Sequence, residues 1–204
     1  MERAQQYKSF EVSRIVGEKK FVPKRHTSKA TLGRRRIIML ELRDLGVDIK
    51  KEPKISLYPF TDYFKGFEKI EAIRKLFGVR TEEVLGNLKV EFYSSKFGYM
   101  GVSDEDGHLL ISAHHLRNAD PLILYLDIVH ELHHVKQFFD GRKLFDFEYE
   151  YVDNPIEIEA YKATVEEAKR IGMSDAQIAD YLRIEWVTDE QLSRLLKALG
   201  VAKA

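Results

Sequence analysis

A clear helical pattern of apolar side chains covers residues 120–140. Its ends carry residue types typical of helix ends. Asp120 suits the N-cap, Pro121 suits the first helical position, and Gly141 suits the left-handed residue that follows a helix. The pattern therefore predicts one capped helix between Asp120 and Asp140.

Strands are predicted before this helix and a second helix after it. The strand-like segments are residues 88–93, 97–102 and 108–112. A turn-rich connection joins the last two as a hairpin, and we expect the three to form an antiparallel ribbon. The second helix has Asp153 or Asn154 as its cap and Pro155 in its first turn, and it ends near Gly172.

The rest of the chain predicts a further set of short elements, which together indicate an α+β fold. A basic arm or partly ordered lead-in is expected up to Gly33, and the C-terminal helices are expected to begin with capping boxes at Ser174 and Thr188. The other predictions are a helix at residues 34–45, an extended segment at 55–60 and an amphipathic helix at 61–77. We predict a basic N-terminal arm and helix at residues 1–54, a core domain at 55–172 and a C-terminal helical extension at 173–204.

Composition narrows the classes of function. The chain has no cysteine, which excludes disulfides, cysteine-ligated zinc and thiol catalysis. Neither a membrane-length apolar run nor a signal peptide is recognisable, because Met1 to Phe10 is polar and charged. A cytoplasmic protein outside the membrane is the expectation.

Charge is unevenly distributed. Residues 1–54 hold 15 Lys and Arg against 7 Asp and Glu, whereas residues 104–190 hold 8 against 20. The basic arm therefore either packs on the acidic body or contacts nucleic acid, although no recognisable nucleic-acid motif accompanies it.

The predicted helix at 120–140 carries an HExxH motif formed by His130, Glu131 and His134. Residues four apart share one helix face, so the two imidazoles can reach the same ion. Glu131 is turned about a quarter of a circle away and is free to act as a base. This motif predicts a metal site, with zinc favoured and iron or manganese as alternatives.

The third ligand has to be a carboxylate, because no histidine follows His134. Glu157 on the second helix is the first choice. Glu159 points about 200° away from it, so the two cannot face one metal together. Asp140 is the other alternative, although the HExxHxxGxxH pattern of metzincins is not matched, with Gln137 in place of its glycine.

HELHH followed by EIEAY resembles the gluzincin branch of zinc metallopeptidases, and most of all the small minigluzincins. The resemblance covers roughly residues 88–171. It implies a zincin-like α+β fold in which a small antiparallel sheet accompanies the HExxH helix and a second ligand-bearing helix. It also implies Zn²⁺ held by His130, His134 and Glu157, with Glu131 catalytic. Tyr161 departs from the pattern, since many relatives carry there an Asp that orients a ligand histidine.

The expected function is hydrolysis of a peptide or protein substrate by a zinc-activated water, with Glu131 as general base. The oxyanion donor is left open among five residues, namely Tyr149, Tyr151, Tyr161, His114 and His115. The alternative is a metal-containing regulatory or binding protein on a zincin scaffold, which contacts nucleic acid or a protein through the basic arm. A latent enzyme whose arm covers the cleft is a further alternative.

Overall fold

The computed structural model describes residues 42–96, 98–144, 148–184 and 186–202. The predicted basic lead-in and most of the predicted helix at 34–45 lie outside these residues. In the described part, strands and helices are combined in one unit, Leu40–Ala204, so the predicted α+β class is confirmed. The predicted boundaries at residues 55 and 173 stay predictions.

The main sheet contains β2 (Leu57–Pro59), β4 (Lys89–Tyr93), β5 (Met100–Val102) and β6 (Leu109–Ser112), in the order β2-β4-β6-β5. β5 and β6 form the predicted antiparallel hairpin, and β2 pairs antiparallel with β4. The prediction of a purely antiparallel sheet is wrong, because β4 runs parallel to β6. Residues 94–108 supply the long connection that a parallel pair requires, and they place β5 at the edge.

The predicted helix at 61–77 is wrong over its first ten residues. Only α1 (Glu71–Phe77) is α-helical, and it is preceded by β3 (Phe64–Lys65), which pairs with β1 (Asp48–Ile49). Gly66 has φ +86°, and a Cβ there would lie 2.0 Å from the Gly46 carbonyl oxygen, so the chain turns sharply at this point. The apolar stripe is nevertheless buried as expected, with Phe64, Phe67 and Ile73 in the core.

Helix α2 (Thr81–Asn87) directly precedes β4 in the chain, and helix α3 (Ala113–Asn118) directly follows β6. The two long helices come next. α4 spans Pro121–Phe139 and α5 spans Pro155–Arg170. Their predicted ends are confirmed: the side chains of Asp120 and Asn154 accept hydrogen bonds from backbone N–H groups in the first turns, at 2.8 and 3.0 Å. The two helices pack against each other over much of their length.

The chain closes with α6 (Asp175–Tyr181) and α7 (Asp189–Leu199), and both begin with the predicted capping boxes. Their apolar faces join the same core as the long helices through Ile178, Leu192 and Leu195. Among the described helices, none is long and apolar enough to cross a membrane.

Candidate metal centre

His130 and His134 on α4 and Glu157 in the first turn of α5 point their side chains at one place. The Nε2 atoms of the two histidines lie 3.0 Å apart. Glu157 Oε2 lies 3.4 Å from His130 Nε2 and 3.5 Å from His134 Nε2. The structure therefore brings together the first-choice ligand set, and among the described residues no other group of three potential ligands converges in this way.

These distances suit a tetrahedral zinc ion. Zinc bonds of 2.0–2.1 Å at tetrahedral angles separate neighbouring ligand atoms by about 3.3 Å. Two imidazole nitrogens and one carboxylate oxygen leave one position for water or substrate, as in catalytic zinc sites. The set fits zinc in both ligand chemistry and spacing.

Several polar atoms of this cluster are buried without a hydrogen-bond partner in the described chain, namely His130 Nδ1, Glu131 Oε2 and Glu157 Oε2. Both histidines and Glu131 are less than 9% exposed. Buried polar atoms are normally paired, so the unpaired Glu157 Oε2, which faces two imidazoles, indicates a cationic partner at this place. A divalent ion would satisfy Glu157 Oε2 and both ring nitrogens at once.

The pKa values of the two carboxylates at the cluster are shifted in opposite directions. Burial on its own would raise the pKa of Glu157, but the neighbouring imidazoles of His134 and His130 outweigh it and hold that pKa far below the usual range. Burial raises the pKa of Glu131, against the opposing effect of the same histidines. Glu157 is thus suited to bind a cation, and Glu131 is a stronger base than an ordinary carboxylate.

Gln137 orients one of the histidines. Its Oε1 lies 2.7 Å from His134 Nδ1, and its Nε2 donates to the Ile156 carbonyl and to Glu159. This bond directs the Nε2 of His134 towards the cluster. In the sequence, Gln137 only excludes the metzincin pattern. Its position three residues after His134, on the same helix face, is the signal for its role as a partner of that histidine.

The alternative ligands lie outside the cluster. Glu159 pairs with Arg142 and accepts from Gln137, and Asp140 pairs with Lys136 at the end of α4. Both carboxylates are therefore engaged with cations away from the two imidazoles. Because Glu157 and Glu159 are about 200° apart around α5, Glu157 faces the two imidazoles and Glu159 faces away from them.

Two tyrosines lie beside the ligands. The Tyr161 ring lies against the His130 ring, with centroids 4.3 Å apart, and its hydroxyl is 2.7 Å from that of Tyr151. Tyr161 thus does not hydrogen-bond a ligand histidine. Burial and the Glu157 carboxylate raise the pKa of both phenols, which keeps them protonated. Tyr149 and His114, two of the other candidate donors, are exposed.

The remaining candidate, His115, belongs to a second polar group that the sequence did not reveal. Its Nε2 lies 2.8 Å from Asp127 on α4, and the hydroxyl of Tyr181 donates to the same carboxylate at 3.2 Å. Asp127 lies one turn before Glu131, so this group ties α3 and α6 to the α4 face that carries the motif.

No family model, curated protein or solved structure matches this chain in sequence or structural comparison. The gluzincin resemblance therefore depends on the motif residues and on the arrangement of their side chains.

Proposed function

We propose that this protein is a zinc-dependent metallopeptidase of the gluzincin type with a zincin-like α+β fold. One observation carries the proposal: two imidazoles from α4 and a carboxylate from α5 converge in a buried cluster, with Glu131 next to one ligand in the chain. A purely structural cluster would have its polar atoms paired, and these are not.

Bound zinc would supply a Lewis acid that polarises the scissile carbonyl and lowers the pKa of water to about 7. His130, His134 and Glu157 would hold the ion, and Gln137 fixes the orientation of His134. Glu131 accepts a proton from the attacking water and delivers it to the amine nitrogen as the C–N bond breaks. The raised pKa of Glu131 strengthens it as the base in the first transfer.

The sheet offers a binding site for an extended peptide. β5 is an edge strand, and it packs against α4, the helix that carries His130 and Glu131. An edge strand has unpaired backbone N–H and C=O groups that an added strand can satisfy. We infer that a substrate segment pairs with Met100–Val102 and that its scissile bond then lies near the metal cluster.

The Glu131→Gln variant tests this function. It keeps the ligands and the approximate shape of the side chain but removes the base. We expect zinc binding to be unchanged and cleavage of a fluorogenic peptide library to fall by about 10²–10⁴-fold.

Asp140→Asn is the matched control on the same helix, and it should leave cleavage unchanged. Full cleavage by Glu131→Gln, or an equal loss in Asp140→Asn, would contradict the proposed mechanism.

A further inference from the structure

Glu159 on the surface of α5 is connected to one of the metal-binding histidines through a single side chain. Gln137 Nε2 donates to Glu159 Oε2 at 3.0 Å and to the Ile156 carbonyl oxygen at 3.1 Å. The other end of the same amide, Gln137 Oε1, lies 2.7 Å from His134 Nδ1. A continuous path of hydrogen bonds therefore runs from Glu159 through Gln137 to His134.

The two acceptors on α5 decide which way round the Gln137 amide lies. An amide nitrogen carries two N–H donors, whereas the amide oxygen only accepts. Ile156 and Glu159 use both donors, and a reversed amide would place its oxygen against two acceptors. Oε1 therefore faces His134, and the Nδ1 atom of His134 carries the proton of this bond. This leaves Nε2, which faces the cluster, as the nitrogen that can bind a metal.

Glu159 is the stronger of the two acceptors. The Ile156 carbonyl lies in the first turn of α5, where it also accepts the helix bond from the backbone N–H four residues later. The Glu159 oxygen belongs to a carboxylate that pairs with the Arg142 guanidinium. Hydrogen bonds to ionised acceptors are about twice as strong as those between neutral groups. Gln137 is only 2% exposed, so its orientation depends on these partners within the chain.

His130 provides an internal comparison, because its orientation has a different origin. Its Nδ1 is buried and has no hydrogen-bond partner in the described part of the chain. Its ring packs on the Tyr161 ring, with centroids 4.3 Å apart. His134 is thus oriented by hydrogen bonds, whereas His130 is oriented by packing.

We propose that Glu159 is a positioning residue of the metal centre, which fixes the Gln137 amide and through it presents His134 Nε2 to zinc. The assignment rests on the zinc site of the proposed metallopeptidase. Glu159 lies outside the cluster and acts only through Gln137. A ligand that is already oriented loses less conformational entropy when the ion binds, so Glu159 strengthens zinc binding.

Glu159→Ala tests the assignment in the zinc-loaded full-length protein. We expect zinc affinity to fall by about 3–10-fold, less than the 10–100-fold typical of losing the direct partner of a ligand histidine. In ¹H–¹⁵N spectra, the Nδ1–H signal of His134 should exchange faster with water, because the Gln137 amide no longer keeps one orientation. The ring signals of His130 should stay as in the wild type. A general loosening of the fold would change the signals of both histidines and would contradict the positioning role.

Asp140→Ala is the matched control. The Asp140 side chain is 47% exposed, against 46% for Glu159, and it also pairs with a cation, Lys136. Its pair lies at the end of α4, away from the two imidazoles. Zinc affinity and the signals of both histidines should therefore equal those of the wild type.

The double variant of Gln137→Ala with Glu159→Ala tests the path itself. Because Glu159 acts through Gln137, the double variant should bind zinc no more weakly than Gln137→Ala alone. Additive losses would show that Glu159 affects the site by another route, and they would overturn the assignment.

The outcomes separate this assignment from the proposed function. If Glu159→Ala keeps the zinc affinity and the His134 signal of the wild type, the assignment is wrong and the peptidase function is unaffected. If the wild type binds zinc but cleaves no peptide, while Glu159→Ala shows the expected losses, the assignment is supported and the peptidase function is wrong. A wild type that binds no zinc would overturn both.

Discussion

α5 carries two carboxylates that face α4, the buried Glu167 and the half-buried Glu157, and they differ in how they are paired. Glu167, near the C-terminal end of α5, accepts a hydrogen bond from the Tyr125 hydroxyl. It also accepts two hydrogen bonds from the Arg170 guanidinium, at 2.6 and 2.7 Å. Glu157, near the N-terminal end, faces His130 and His134, and its Oε2 has no hydrogen-bond partner in the described chain. The same helix pair thus contains one completed polar network and one incomplete cluster.

This difference in hydrogen-bond partners indicates that Glu167 stabilises the fold, whereas Glu157 serves a function. A satisfied buried carboxylate stabilises the packing of α4 on α5, because removal of either partner leaves a buried polar group unpaired. An unsatisfied carboxylate destabilises the fold unless a ligand completes it. The hydrogen-bond partners of the two carboxylates distinguish these cases.

The largest expected effect comes from Glu157→Ala. Loss of a partner that only orients a ligand weakens metal binding by 10–100-fold, so loss of a ligand should weaken zinc binding by more than about 100-fold. Competition with a chromophoric chelator measures this affinity.

Glu159→Ala, two residues along α5, is the matched control and should keep zinc affinity much closer to that of the wild type. Equal zinc affinities of Glu157→Ala and the wild type would show that Glu157 is not a ligand, and that the incomplete cluster at this end of α5 does not bind zinc.

Gln137→Ala should have a smaller effect at the same end of the helix pair. It removes the acceptor at His134 Nδ1 and keeps all three ligands, so we expect zinc affinity to fall by about 10–100-fold. Lys136→Ala, at the neighbouring half-buried position on α4, provides the comparison. A Gln137→Ala protein with unchanged zinc affinity would show that His134 is held by packing alone.

Glu167→Ala should change stability and leave the metal site unaffected. It leaves the buried Tyr125 hydroxyl without its acceptor, which lowers the free energy of unfolding by about 1–3 kcal/mol. Urea denaturation measures this change, and zinc affinity is measured in parallel. The exposed Glu166→Ala should alter neither quantity; a loss of zinc binding in Glu167→Ala would mean that the two clusters are coupled.

Local chemistry explains which parts of the fold could be predicted from the sequence. The ends of α4 and α5 depend on Asp120, Asn154 and Gly141, whose side chains or backbone act within a few residues, and these ends were predicted. The convergence of Glu157 on the HExxH histidines was expected from its place on the second helix and from the family resemblance. The binding of an ion there stays a prediction.

Non-local contacts explain the errors. The turn at Gly66 depends on its close approach to the Gly46 backbone, which a hydrophobic pattern does not record, so residues 61–77 looked like one helix. The parallel pairing of β4 with β6 depends on the path of residues 94–108. Likewise, the role of Gln137 depends on neighbours that only the folded chain supplies.

The central claim is that the incomplete cluster on α4 and α5 binds one catalytic zinc ion. A crystal of the zinc-loaded protein, measured with X-rays on both sides of the zinc absorption edge, tests it directly. We predict one anomalous peak at about 2.0–2.2 Å from His130 Nε2, His134 Nε2 and Glu157 Oε2. A peak at other residues, such as His108 with Asp106 and Glu91, or no peak at all, would contradict it.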